Sequence, residues 1–367
     1  MTLMDLELNH TENNVRNSEG SFVELNDGRI LFIYSRFRNS GTHDHCTADL
    51  AECIYDPASG KWSEPEIVVE NKALNVMSVS LLRLQSGKIA FVYLEDTAVP
   101  VAPTFSGSNE SDGNFAQEGS DFVDCRPWIC FSEDEGRTWS KASPITTIPP
   151  IYLIGNNDRL IQLKSGRLLF PVCMYPYKTY QGVAYCYISD DEGLTWRRSG
   201  QTCYPPQWLG SGLAEPGVIE LADGTIMMWA RTSGGCQYKM FSYDGGDTWS
   251  VPMPASEFLS SESPMSMKRN PWTNELIAIW NDHDPRWGVA YREGSWSRTP
   301  LVMAYSQDEG KTWYGHTLLE SEPNRGYCYT AMLFSAQWKD RVLLAYCRGA
   351  DNGVLKDMKI NHVRMKK

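Results

Sequence analysis

Apolar and polar positions along this chain fall into strand-length runs broken by Asp-Gly and Ser-Gly turns. Four such units span Phe22–Tyr34 around Gly28, Leu81–Tyr93 around Gly87, Leu160–Phe170 around Gly166 and Val218–Trp229 around Gly224. A short strand, a glycine turn and a second apolar strand make a β-hairpin. The second strand of each is almost continuously apolar, which predicts burial on both faces. No long window carries helical periodicity, so the chain reads as all-β.

A second pattern follows the hairpins. It occurs as Ser132-x-Asp134-x-Gly136-x-Thr138-Trp139 and returns, identical at every fixed position, from Ser189 to Trp196, Ser242 to Trp249 and Ser306 to Trp313. The Asp side chain suits capture of backbone N–H groups just downstream. The Gly suits a left-handed backbone, and the Trp supplies apolar area to pack against the strands. These Asp-boxes are turn modules, not catalytic groups. With each hairpin they give about four strands per unit, which predicts a propeller blade.

Six units can be counted. The first ends at a degraded box, Tyr55 to Trp62. The fifth has a weak first hairpin, Met265–Arg269 with Leu276–Trp280. The expected architecture is one six-bladed β-propeller of four-stranded antiparallel blades with Asp-box turns, over residues 1–367. The blades are expected at about 16–62, 74–139, 155–196, 213–249, 262–313 and 326–367, the last closed by the N-terminal strand. This overrides the two domains that 367 residues would otherwise suggest. The irregular stretch from Glu95 to Asp124 reads as either a loop over one face or a solvated insertion.

Composition narrows the partners. The net charge of −11 argues against nucleic acid and anionic membranes, and no apolar run is long enough to span a bilayer. The first residues lack a basic segment followed by an apolar one. The default compartment is therefore cytoplasmic, with a secreted or periplasmic location if a signal was removed. Ten scattered cysteines, among them Cys130, Cys173 and Cys186 in apolar strands, read as buried thiols. His43 and His45 flank Asp44, but two His and one Asp in a loop read as polar loop residues. No metal and no cofactor is expected, and the oligomeric state is open.

In a propeller, ligands bind at one mouth of the central funnel, where strand ends from several blades converge. Glu19, Ser78, Asn157 and Glu215 each stand nine residues before a turn glycine. Arg36 and Arg231 follow second strands, Arg298 precedes the last intact box, and Tyr327, Tyr329 and Thr330 open the last blade. Asn156, Asn157, Asp158 and Arg159 are further funnel candidates. Charges at matching points of a ring point to a shared pocket.

On these residues the chain resembles the sialidase superfamily of Asp-box glycoside hydrolases. The run from Glu215 through Asp223-Gly224 to Arg231 matches the family's Glu–strand–Asp-Gly–strand–Arg pattern, and Tyr329-Thr330 matches its nucleophile motif. The resemblance implies Tyr329 as nucleophile, Glu215 as its base and Asp44 as acid/base, with Asp49 in reserve. It implies that Arg231, Arg298 and Arg16 bind a carboxylate, and that Arg36 contacts the sugar. The first blade departs from the pattern: Arg16 is followed by Asn17 and Ser18 where the family has Ile-Pro. The expected substrate is a glycan ending in sialic acid or a related acidic sugar, cleaved with retention. The alternatives are a hydrolase or lyase for another sugar, and a non-catalytic carbohydrate- or protein-binding propeller. Glu19 and Asp158 together in the pocket would favour a different sugar.

Overall fold

A computed structural model describes residues 5–99, 122–148, 151–176, 181–289, 296–349 and 355–366. Most of the 95–124 stretch lies outside these. The described residues form six antiparallel sheets arranged as the blades of a propeller. Among them, no helix is long and apolar enough to cross a membrane. In blade one, Arg16–Glu24 is the innermost strand, followed outward by Ile30–Phe37, Ala48–Asp56 and Lys61–Trp62. Blades two, four and five repeat this order from Asn75–Arg83, Ala214–Glu220 and Ser266–Arg269. In blade three the innermost position is split between Leu153–Ile154 and Ile161–Gln162, both paired with Leu168–Met174. Blade six runs Tyr327–Leu333, Arg341–Gly349 and Leu355–Arg364, and its outer strand is Leu6–Leu8 from the other end of the chain. Leu6 pairs with Ile360 and Leu8 with Met358. That pairing closes the ring, and the repetition of blades leaves only short, protected edges.

The apolar second strands occupy the middle of each blade, as their composition demands. Ile30 to Tyr34 are all buried, packed between neighbouring sheets with residues such as Tyr55 and Leu343. The four boxes share one geometry. In the first, Gly136 N donates to Ser132 Oγ at 2.8 Å, Thr138 N to Asp134 Oδ1 at 2.9 Å and Thr138 Oγ1 to Asp134 Oδ2 at 2.7 Å. Their glycines lie against the preceding blade: Gly136 faces Leu31, Gly193 faces Phe131 and Gly246 faces Leu169. The boxes thus lock each blade to its neighbour as well as turning the chain.

The innermost strands are kinked. Glu19, Ser78, Glu215 and Tyr329 have φ of 53°, 58°, 43° and 57°. Each sits where the strand register slips, between Ser18 and Ser21, Met77 and Ser80, Ala214 and Gly217, and Cys328 and Ala331. A bulge of this kind re-aims a side chain at the cost of local strain. Tight packing follows it: a Cβ on Gly20 would meet the Phe32 ring at 2.2 Å, and one on Gly217 the Trp229 indole at 2.2 Å. Gly217→Ala should therefore cost about 1–3 kcal/mol by overpacking. The check is a lowered Tm relative to wild type, with Gly87→Ala, which meets no atom within 4 Å but has φ of 94°, as the contrasting case of pure backbone strain.

Candidate functional site

The four kinked residues share one wall-to-wall pocket of about 420 Å³ at the funnel mouth. They meet there as two hydroxyl–carboxyl pairs. Tyr329 Oη donates to Glu215 Oε1 at 3.4 Å, and Ser78 Oγ donates to Glu19 Oε2. Each pair joins the same kink position of two different blades. All four residues are nine-tenths or more buried. Asn157 holds the floor in place: its amide donates to Gly20 O at 2.7 Å and to Tyr329 O at 3.1 Å.

Three guanidinium groups line the same pocket. Arg231, the last residue of Ile226–Arg231, reaches Glu215 Oε1 with Nη1 at 3.0 Å and lies 3.8 Å from Glu262. Its Nε and Glu215 Oε2 are buried without a hydrogen-bond partner among the described residues. Arg298 stands 5.3 Å over the Tyr329 ring and donates to Cys328 Sγ at 3.1 Å. Its backbone carbonyl accepts from Asn281 and from Tyr327 N, which ties it to the junction of blades five and six. Among the described residues Arg298 makes no ion pair. Arg16 lies across the pocket with Nη1 at 2.6 Å from Asp44 Oδ1 and Nη2 at 3.3 Å from Glu19 Oε1, its plane 4.6 Å above Phe37.

These neighbours bias the titrations. Burial pushes the Tyr329 phenol well above its ordinary value; the adjacent Glu215 charge adds to this and Arg298 opposes it. Burial, with the nearby Asp44 charge, raises Glu19 to about 7 against the pull of Arg16. The surrounding pocket wall would raise Asp44, but the Arg16 guanidinium overrides it and holds the half-exposed carboxyl below its usual range. The pocket thus combines a phenol beside a carboxylate, three further acids at Glu19, Asp44 and Glu262, and three guanidinium groups. That set can hold an anion and move protons on both sides of it.

Other residues singled out from the sequence lie elsewhere. Arg36 does not line the pocket; two residues beyond Tyr34 on the same strand, it shares the pleat face that carries Tyr34, and its charge acts on Tyr34 and Cys53. Asp49 is bound by Arg38 at 2.5 and 2.7 Å and accepts from Asn71 N, so it too is turned away. Asn157, Asp158 and Arg159 lie beneath the pocket rather than in its lining. Asp158 pairs with Lys268 at 2.7 Å and accepts from Met332 N, and Arg159 donates to Met265 O at 2.7 Å. In blade three it is Asp158, not Asn157, that carries positive φ, at 59°. The split innermost strand moves the kink by one residue there. Tyr327 is fully buried against Tyr346 and faces away. His43 lines the pocket, whereas His45 bonds Asp96 at 3.1 Å. Glu262, Trp296 and Cys328 were not singled out. Glu262 and Trp296 come from connecting segments with no repeat register, and Cys328 reads as one more strand cysteine.

A family profile, the BNR repeat-like domain, matches residues 49–342. A curated sialidase from Paraclostridium sordellii is 25% identical over 265 residues, 66% of this chain and 59% of that protein, so the chain spans little more than half of it. Among solved structures, a protein of unknown function from Dyadobacter fermentans superposes with a TM-score of 0.76 at 18% identity, covering 100% of this chain and 99% of that one. The NanB sialidase of Streptococcus pneumoniae superposes with a TM-score of 0.71 at 16% identity, covering 99% of this chain and 70% of that one.

The raised Glu19 carboxyl has a thermodynamic consequence. The folded state holds this proton more tightly than the unfolded chain does, so its contribution is full below the unfolded value near 4.5 and is lost as pH rises through about 7. Glu19→Gln removes this dependence. The Tm difference, variant minus wild type, should grow from pH 5 to pH 7.5; a difference independent of pH would contradict the assignment.

Proposed function

The chain belongs to the BNR repeat-like family of the sialidase superfamily, and from that premise we propose that it is a retaining exo-glycosidase for terminal sialic acid or a related acidic sugar. The observation that carries this reading is the Tyr329 phenol 3.4 Å from Glu215, with the Arg298 and Arg231 guanidinium groups beside it. A sialoside bears a carboxylate on its anomeric carbon. A carboxylate nucleophile would be repelled by it, and a neutral phenol is not. Tyr329 is a poor nucleophile while protonated, and more so for being buried. Glu215 takes its proton as the oxygen attacks. Arg231 and Arg298 hold the substrate's carboxylate and offset the charge that develops on the phenolate. Asp44, in the same pocket, protonates the departing oxygen and then takes a proton from the attacking water. Two displacements at one carbon return the original anomeric configuration.

Arg298, a buried cation with no ion pair among the described residues, supports an acidic sugar over a neutral one. Glu19 lines the pocket, but Asp158 is below it and paired with Lys268. Arg16 and Arg231 line the same pocket, shared there with the carboxyl groups of Glu19, Asp44, Glu215 and Glu262. The curated relative named above is a sialidase, which agrees with this substrate class.

Turnover of a fluorogenic sialoside tests the proposal. Wild type should release the aglycone, with NMR detecting the same anomer first. Tyr329→Phe should lose nearly all turnover, and Asp44→Asn should lose about 10²–10⁴-fold when 3′-sialyllactose, with its poor leaving group, replaces the fluorogenic substrate. No turnover of any sialoside by wild type would refute the activity.

A further inference from the structure

Arg16 is one guanidinium held by two carboxylates of different mobility. Glu19 is at a kinked strand position, 7% exposed, and is fixed on its far oxygen by Ser78. Ser18 Oγ, 3.0 Å from Arg16 Nη2, strengthens that end. Asp44 stands on the connection between Ile30–Phe37 and Ala48–Asp56, and its side chain is 52% exposed. Its carbonyl is anchored by the Asn75 amide and the carbonyl of nearby Thr42 accepts from Arg16 at 3.0 Å, so the Asp44 backbone is tied while its carboxyl faces open space. One end of the Arg16 fork is therefore rigid and the other can be exchanged.

An acid tied to a guanidinium as carboxylate has no proton to give. We propose that Arg16 is traded between Asp44 and the anionic group of the substrate, and that Glu19, fixed by Ser78, is the positioning residue that keeps Arg16 in place during the exchange. This rests on the reading of the pocket as an acidic-sugar site. The balance is simple. The entering carboxylate takes Arg16 Nη1, and Asp44 loses its ion pair and accepts a proton from the solvent it already faces. It then gives that proton to the glycosidic oxygen as the bond to the anomeric carbon breaks. Glu19 is faced by Arg16 and Cys347, by Asp44 across the fork, and by Glu215 from blade four; its charge also acts on Tyr329 and Cys125. Above about pH 7, where Glu19 is ionised, removing its charge leaves the guanidinium to Asp44 alone, which makes the trade harder.

The experiment compares two substrates with wild type, Glu19→Gln, Ser78→Ala and Asp44→Asn. One is an aryl sialoside, whose leaving group needs little protonation; the other is 3′-sialyllactose, whose leaving group needs it. Compared at pH 8, Glu19→Gln should lose on the order of 10-fold or more in kcat on sialyllactose, with little loss of kcat on the aryl substrate and a raised KM on both, because the entering carboxylate competes for a guanidinium that Asp44 alone now holds. Ser78→Ala should follow the same pattern more weakly, and Asp44→Asn should show the kcat difference more strongly. Tyr329→Phe should fail on both substrates alike. Equal kcat losses on the two substrates, or an unchanged kcat in Glu19→Gln, would overturn the positioning role and leave the glycosidase reading intact. A wild type inactive on both would overturn the two together. Tm measurements on each variant separate loss of fold from loss of function.

Discussion

A left-handed kink repeated in the innermost strands is the constraint on which the pocket depends. A regular strand sends alternate side chains to the two faces of its blade, where they are consumed by packing between blades. A bulge with one residue at positive φ breaks that alternation and points a side chain along the strand toward the funnel mouth. Glu19, Ser78, Glu215 and Tyr329 all arrive this way. None of the four is glycine, so each kink stores strain of about 1–3 kcal/mol that the surrounding sheet must hold. The support is visible in the Asn157 amide bridging two of the kinked segments and in the glycines Gly20 and Gly217, against which Phe32 and Trp229 pack.

The second organising feature is that the pocket's charges are already paired before anything binds. Glu215 and Arg231 are 3.0 Å apart, and Arg16 serves both Asp44 and Glu19. Buried ions carry a large desolvation penalty unless they are matched, so such a cluster is assembled only with its counter-charges. Arg298 is the exception among the described residues, lying over the Tyr329 ring and against the Cys328 sulfur rather than a carboxylate. An anion entering here meets one unpaired cation and two that must be shared. Affinity and protonation are thereby linked, because any group that takes a guanidinium changes the charge felt by the acid it leaves.

The rest of the ring serves to hold these strands at fixed separations. The Asp-boxes lie in the turns beyond the third strand of their blades and make only structural contacts. Glu135 in the first box ties Arg83 of its own blade to Asn26 of the blade before, and Glu309 does the same between Arg269 and Ala222. The pairing of Leu6–Leu8 with the last blade completes the circle. Chemistry and scaffold thus occupy different parts of each strand.

The repeat made the fold legible from residues alone. Four identical boxes and a recurring hairpin leave few architectures that bury every apolar second strand. Glu215 and Arg231 could be singled out because they fall at matching points of that repeat, and Arg298 and Tyr329 through the resemblance to the sialidase superfamily. Which charges share one cavity was settled only by tertiary contacts. Arg36 and Asp49 are one register step from the pocket yet face elsewhere, since the strand pleat and the Arg38 ion pair turn them away. Asp158 moved beneath the floor because blade three splits its innermost strand, and no residue pattern announces that shift. Glu262 and Trp296 reach the site from connections without periodicity. Spacing along a chain encodes direction within a strand; distance between blades depends on how the whole ring closes.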